Sequence, residues 1–129
     1  MACVLVVEDD VDLQFVIDLL LKRAGHEVTM AGHGRAALEA AARRMPDAVV
    51  LDWMMPGMSG PEVCRRLRAM PGGDRVGVLM LTVRVEPDDR EEALRAGVDD
   101  YMVKPFEHEE FMRRLGEMLE HVARARPRA

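Results

Sequence analysis

Cysteine is scarce: Cys3 and Cys64 are the whole supply in 129 residues, and they form no CxxC pair, no Cys/His cluster and no even framework. A disulfide-stapled scaffold and a thiolate metal site are therefore excluded, and two buried free thiols are expected. Positive charge is also short, with 18 Lys and Arg against 23 Asp and Glu, a net charge of −5 and a pI near 5.4. No overall basic field exists to attract nucleic-acid phosphates, so no nucleic acid is expected to bind through this domain. No apolar run approaches the roughly 20 residues of a membrane span. The opening MACVLVVEDD has no basic region ahead of its short apolar run, so a cytoplasmic location without membrane contact is expected. The four histidines, His26, His33, His108 and His121, lie far apart without ligand spacing and read as surface residues.

What is present is the material of one ordinary domain, 49% hydrophobic and 32% charged. The domain is expected over residues 1–122, with a basic tail or linker over 123–129. Apolar, β-branched runs recur at 3–7, 27–31, 47–51, 77–81 and 98–103, and helix-like segments separate them. In the first such segment Leu13, Val16, Ile17, Leu20, Leu21 and Ala24 share one face, and Gly25 stands where a C-capping glycine belongs. Further helices are expected near 35–43, 60–69, 87–96 and 107–124, with Gly97 closing the fourth and Asp10 or Asp12 capping the first. The runs CVLVV, DAVVL and GVLML are apolar throughout, as in strands covered on both faces. With right-handed crossovers the alternation predicts an α/β fold, a doubly wound five-stranded parallel sheet, (βα)5, with helices on both faces. Ligands of such sheets sit beyond the carboxyl ends of the strands.

That rim is where the polar residues fall. Glu8, Asp9 and Asp10 follow the first strand, Asp52 the third, Thr82 the fourth, and Lys104-Pro105 the fifth. Converging carboxylates repel one another, and a hard divalent cation such as Mg2+ resolves the conflict. Given that ion, Asp52 is suited to act as a nucleophile toward a phosphoryl group, with Lys104 neutralising charge on the transferring oxygens and Thr82 donating to one of them. Each residue alone has a plainer reading. Asp52 would serve as a loop or capping aspartate, Glu8 to Asp10 as helix N-terminal acids, Lys104 as a surface lysine and Thr82 as a strand former.

Taken together, VVEDD, DWMMPGMSG, LT and DDYMVKPF, in this order and spacing, resemble the signature of response-regulator receiver domains over nearly the whole chain. The resemblance implies a flavodoxin-like strand order and a two-component switch that accepts a phosphoryl group on Asp52 from a sensor histidine kinase or phosphotransfer protein. It implies Mg2+ bound by Asp9, Asp52 and the backbone carbonyl of Met54, with Glu8 acting through water. Thr82 and Lys104 would assist transfer, and the Lys104–Pro105 bond would be cis. Tyr101 matches the family's switch aromatic, with an ordinary half-buried strand tyrosine as the alternative. Arg90, Asp99, Asp100, Glu110 and Arg114 fall at positions resembling the charged dimer face of winged-helix regulators, which implies phosphorylation-dependent homodimers. Such a domain is not an enzyme beyond catalysing its own phosphorylation and dephosphorylation. A stand-alone interaction module is the alternative. A Mg2+-dependent phosphatase with an aspartyl-phosphate intermediate fits less well, because Trp53 and Met54 follow Asp52 where such enzymes carry a DxD motif.

Two departures from the family pattern bear on rate. Val83 follows Thr82 where a small residue is usual, which narrows access to Asp52. Met54 and Arg84 stand at positions resembling the family's tuners of hydrolysis, and a thioether beside an acyl phosphate orients water poorly. A long-lived phosphoryl state is expected.

Overall fold

Apolar runs become strands and amphipathic segments become helices, in the order β1 (Cys3–Val7), α1 (Val11–Arg23), β2 (Glu27–Ala31), α2 (Gly34–Arg43), β3 (Ala48–Asp52), α3 (Gly60–Arg68), β4 (Gly77–Thr82), α4 (Pro87–Ala96), β5 (Asp100–Val103) and α5 (His108–Ala125). This is the architecture of a computed structural model, which describes residues 1–126. The sheet is parallel throughout, in the order β2-β1-β3-β4-β5. Its three inner strands are the runs that were apolar throughout, whereas edge strand β2 alternates between exposed and covered residues.

Side chains alternate between two cores, as the two-residue period of a strand requires. Leu5, Val7, Val49 and Leu51 face α2, α3 and α4, while Val4, Val6, Val50 and Leu79 face α1 and α5. Ile17 and Leu21 bury the stripe of α1, with Leu13 and Leu20 partly covered. Ala24 is exposed because it is already the capping residue, and Gly25 beyond it takes φ 87°, a left-handed conformation natural to glycine. Asp10 caps α1 by accepting from the Asp12 and Leu13 N–H groups. His33, expected to be an idle surface residue, caps α2 through Nδ1.

Strand β5 begins at Asp100, two residues later than its apolar run. Val98 closes the turn after α4 by donating to Ala93, and Asp99 is drawn into side-chain bonds described below. Helix α5 continues through Ala125, three residues into the stretch expected to be tail; Arg126 caps it, and 127–129 lie outside the described residues. Cys64 is buried as expected, and burial pushes its thiol up to about 11. Cys3 is only partly covered: its thiol donates to Glu27 and accepts from Arg44 at the edge of the sheet. Among the described residues no helix is long and apolar enough to cross a membrane.

The functional rim follows from register. Val7 lies level with both Ala31 and Leu51, Asp52 with Leu81, and Thr82 with Val103. Every strand therefore ends at one edge. The chain leaves β1 toward β2 and leaves β3 in the opposite direction, which opens a crevice between their carboxyl ends.

Candidate functional site

The crevice between β1 and β3 is lined by Glu8, Asp9, Asp10, Asp52, Met54, Val83 and Lys104. Carboxylate oxygens of Glu8, Asp9 and Asp52 all lie within 4.8 Å of one another. Glu8 and Asp52 are buried, 2% and 5% exposed, whereas Asp9 is open to solvent. Asp10 lines the rim but spends its carboxylate on the α1 cap, so it is not one of the clustered acids.

Lys104 reaches back from the end of β5. Its Nζ donates to Glu8 Oε1 at 2.9 Å and lies 3.2 Å from Asp52 Oδ1. The Lys104–Pro105 peptide is cis, as the resemblance implied. Burial works against the Lys104 ammonium, but the hydrogen bond and charge of Glu8 and the charge of Asp52 outweigh it and hold the group above its ordinary range. Burial pushes the Glu8 carboxyl up, with the Asp52 charge adding to it, against hydrogen bonds from Lys104 and the Asp10 N–H. The site is therefore deficient in positive charge: three clustered carboxylates face one ammonium. A divalent ion with oxygen ligands would balance the difference, and one acid open to solvent leaves it a way in. The three carboxylates are hard oxygen donors and thus fit Mg2+.

Local structure fixes the acids in place. The carboxamide of Gln14 donates to the Glu8 carbonyl, tying the acidic turn to α1. The N-terminus of α3 approaches the end of β3 so closely that a Cβ on Gly60 would come within 2.5 Å of the Asp52 carbonyl oxygen. Neither Gln14 nor Gly60 was singled out for the site from sequence. The signals were the place of Gln14 one turn into α1 and that of Gly60 at the end of the DWMMPGMSG motif.

Thr82 is 1% exposed at the end of β4, and its Oγ1 accepts from the Arg84 N–H at 3.0 Å. Tyr101 is turned inward at 6% exposure, edge-on to Trp53 with ring centroids 6.4 Å apart, and its hydroxyl donates to the Arg84 carbonyl. Met54 and Val83 border the crevice as expected, both well exposed. Arg84 departs from expectation. Its guanidinium stacks over the Trp53 ring at 4.7 Å and pairs with Asp89 at 2.8 Å, so it is turned onto α4 and is not among the residues lining the crevice.

Of the five charged residues expected on one face, Asp100, Glu110 and Arg114 are joined by ion pairs. Arg114 pairs with Asp100 at 3.0 Å and with Glu110 at 3.4 Å, and Arg90 lies over the Tyr101 ring. Asp99 is elsewhere, enclosed by Arg68 at 2.9 Å, Arg126 at 2.6 Å and the Val78 N–H at the opposite end of the sheet.

Residues 4–116 match the family described as response regulator receiver domain. The chain is 43% identical over 122 residues to the phosphate regulon transcriptional regulatory protein PhoB of Rhizobium meliloti, covering 95% of this chain and 52% of that protein. It is 44% identical over 116 residues to the probable transcriptional regulatory protein TcrX of Mycobacterium tuberculosis, covering 90% and 49%. The chain thus spans about half the length of these curated relatives. In structure it is similar to the receiver domain of a sensor histidine kinase from Pseudomonas aeruginosa PAO1, with a TM-score of 0.85, 35% identity, and 92% and 98% of the two chains covered. That structure is described as having a magnesium ion coordinated in the active site cleft.

Proposed function

The chain belongs to the response regulator receiver family of two-component systems, and on that premise we propose that Asp52 accepts a phosphoryl group from the phosphohistidine of a sensor histidine kinase or phosphotransfer protein. The observation that carries the reading is the meeting of Glu8, Asp9 and Asp52 with Lys104 in one crevice.

An Asp52 carboxylate oxygen attacks phosphorus, the P–N bond of the donor breaks, and the donor imidazole leaves with the bonding pair. Bound Mg2+, held by Asp9, Asp52 and the Met54 carbonyl with Glu8 through water, would neutralise charge on the transferring oxygens. Lys104 supplies a fixed ammonium beside Asp52 for the same oxygens. Thr82, whose Oγ1 accepts from the Arg84 N–H and whose side chain also hydrogen-bonds with Tyr101, would turn its hydroxyl proton to a phosphoryl oxygen. The phosphoryl group brings about −1.5 to −2 of charge to a buried point, enough to reorganise the hydroxyl and ammonium around it. The domain catalyses only its own phosphorylation and dephosphorylation, and its changed α4-β5-α5 surface drives homodimerisation or an effector. The names of the longer relatives support a place in a transcription regulator, and the cytoplasm is the compartment this reading assigns.

The test is labelling by acetyl phosphate with Mg2+. Wild type should take up about one phosphoryl group per chain, and Asp52→Asn should take up none. Wild-type stoichiometry in Asp52→Asn would falsify the reading.

A further inference from the structure

Arg84 lies outside the crevice, yet it contacts Thr82, Tyr101, Trp53 and Asp89 at once. Its N–H donates to Thr82 Oγ1 and its carbonyl accepts from the Tyr101 hydroxyl. Its guanidinium stacks on Trp53, the residue after Asp52, and donates through Nη2 to Asp89 in the first turn of α4. The two backbone contacts are open to any residue at this position, so they persist only while the loop stays where it is. Little else holds it. Val83 and Val85 on either side are 61% and 64% exposed, and no side chain caps α4. The Arg84 side chain is the anchor, since a planar guanidinium stacks on an indole and bonds a carboxylate at once.

The anchor is not cost-free. Arg84 Nε is buried with no hydrogen-bond partner among the described residues. A buried, unpaired donor opposes the stack and the Asp89 bond, and swinging outward would rehydrate it. The Arg84 side chain as a whole is 40% exposed, so a short swing away from Trp53 is enough to bring that donor to water.

We propose that Arg84 is a positioning residue for the switch: lodged between Trp53 and Asp89, it holds the loop at which Thr82 and Tyr101 meet, and it relays the state of Asp52 to α4. This rests on the reading of Asp52 as phosphoacceptor. It also replaces the expectation that Arg84 tunes hydrolysis beside the acyl phosphate.

The test uses the whole chain as wild type, Arg84→Ala and Arg84→Lys. Trp53 is the sole tryptophan, so acrylamide quenching reads the stack directly, with no ligand added. Hydrogen exchange over residues 83–103, with and without beryllofluoride and Mg2+, reads the relay. Arg84→Ala should raise the population in which Trp53 is uncovered, and quenching with it, by roughly two- to fivefold, the change in equilibrium constant on losing an exposed cation–π contact. It should take label from acetyl phosphate with wild-type stoichiometry, while the adduct-induced change in exchange shrinks by about threefold or more. Arg84→Lys should recover only part of that change, because the charge is kept and the planar stack is lost. Unchanged quenching with a full adduct response would overturn the proposal. So would loss of labelling in Arg84→Ala, since the residue would then act in the reaction itself. Absence of label in wild type would instead sink the phosphoacceptor reading, and quenching would still decide whether Arg84 clamps Trp53.

Discussion

At the scale of single residues, Met54 and Val83 are the two apolar side chains at the mouth of the crevice that holds Asp52, and the proposed phosphoryl chemistry gives each an expected effect. Both border the crevice and both are well exposed, so neither is held there by the core. A thioether is a weak acceptor and no donor, so Met54 cannot align water for attack on phosphorus. Asn at this position has both capacities. Met54→Asn is therefore expected to shorten the life of the phosphoryl state by about fivefold, the worth of one modest hydrogen bond in the hydrolytic transition state. Loss of radiolabel after removal of acetyl phosphate measures it, and an unchanged half-life would show that Met54 does not govern water. The Arg84 side chain does not border the crevice as its expected role required, and the reason is spatial. Spacing from Thr82 places its backbone correctly, but the direction of its side chain is decided by Trp53, thirty-one residues earlier, and by Asp89 on the next helix.

At the scale of elements, the clustered acids, the hydroxyl and the lysine were legible because each falls at the carboxyl end of a strand, and parallel register brings those ends to one rim whatever the loops do. The inner strands were legible because burial on both faces leaves an unbroken apolar run. The start of β5 was not, since Val98 continues the apolar pattern while serving as a helix-closing turn residue. Asp99 shows the same difficulty. Its neighbour in sequence, Asp100, faces Arg114 on α5, but Asp99 joins the ends of α3 and α5 through Arg68 and Arg126. Burial works against the Asp99 carboxylate, yet the hydrogen bonds from Arg126 and the Val78 N–H and the charge of Arg68 outweigh it, leaving its pKa below the ordinary range. A depressed carboxyl pKa contributes stability that is complete above the unfolded value of about 3.9, and that is lost as pH falls through the lower folded value. Asp99→Asn should therefore cost on the order of 2 kcal/mol at neutral pH, in keeping with charge-assisted hydrogen bonds. Urea midpoints should show that gap nearly constant between about pH 5 and 7 and closing below about pH 4. A gap that widens on acidification would contradict the assignment.

At the scale of the whole molecule, the question is what a second copy would gain from the α4-β5-α5 face. Its central ion pairs are already made within one chain, Arg114 with Asp100 and Glu110. Exchanging such pairs across a two-fold axis replaces one ion pair by an equivalent one, so they fix register more than they supply affinity. Affinity must come from apolar area, and the face has it: Leu94 is 57% exposed one turn beyond Arg90 on α4, and Val103 is 42% exposed on the edge strand. Burying Leu94 against its copy would contribute about 1.5–3 kcal/mol per side chain, whereas an exposed ion pair contributes about 0–1. Leu94→Asp should therefore abolish the doubling of solution mass expected with beryllofluoride and Mg2+, while Glu110→Gln should weaken it by less than about tenfold. Label uptake from acetyl phosphate should be unchanged in both variants, because neither residue borders the crevice. Light scattering at matched concentrations measures the mass, and a Leu94→Asp chain that still dimerises with the adduct would place the interface elsewhere on the surface.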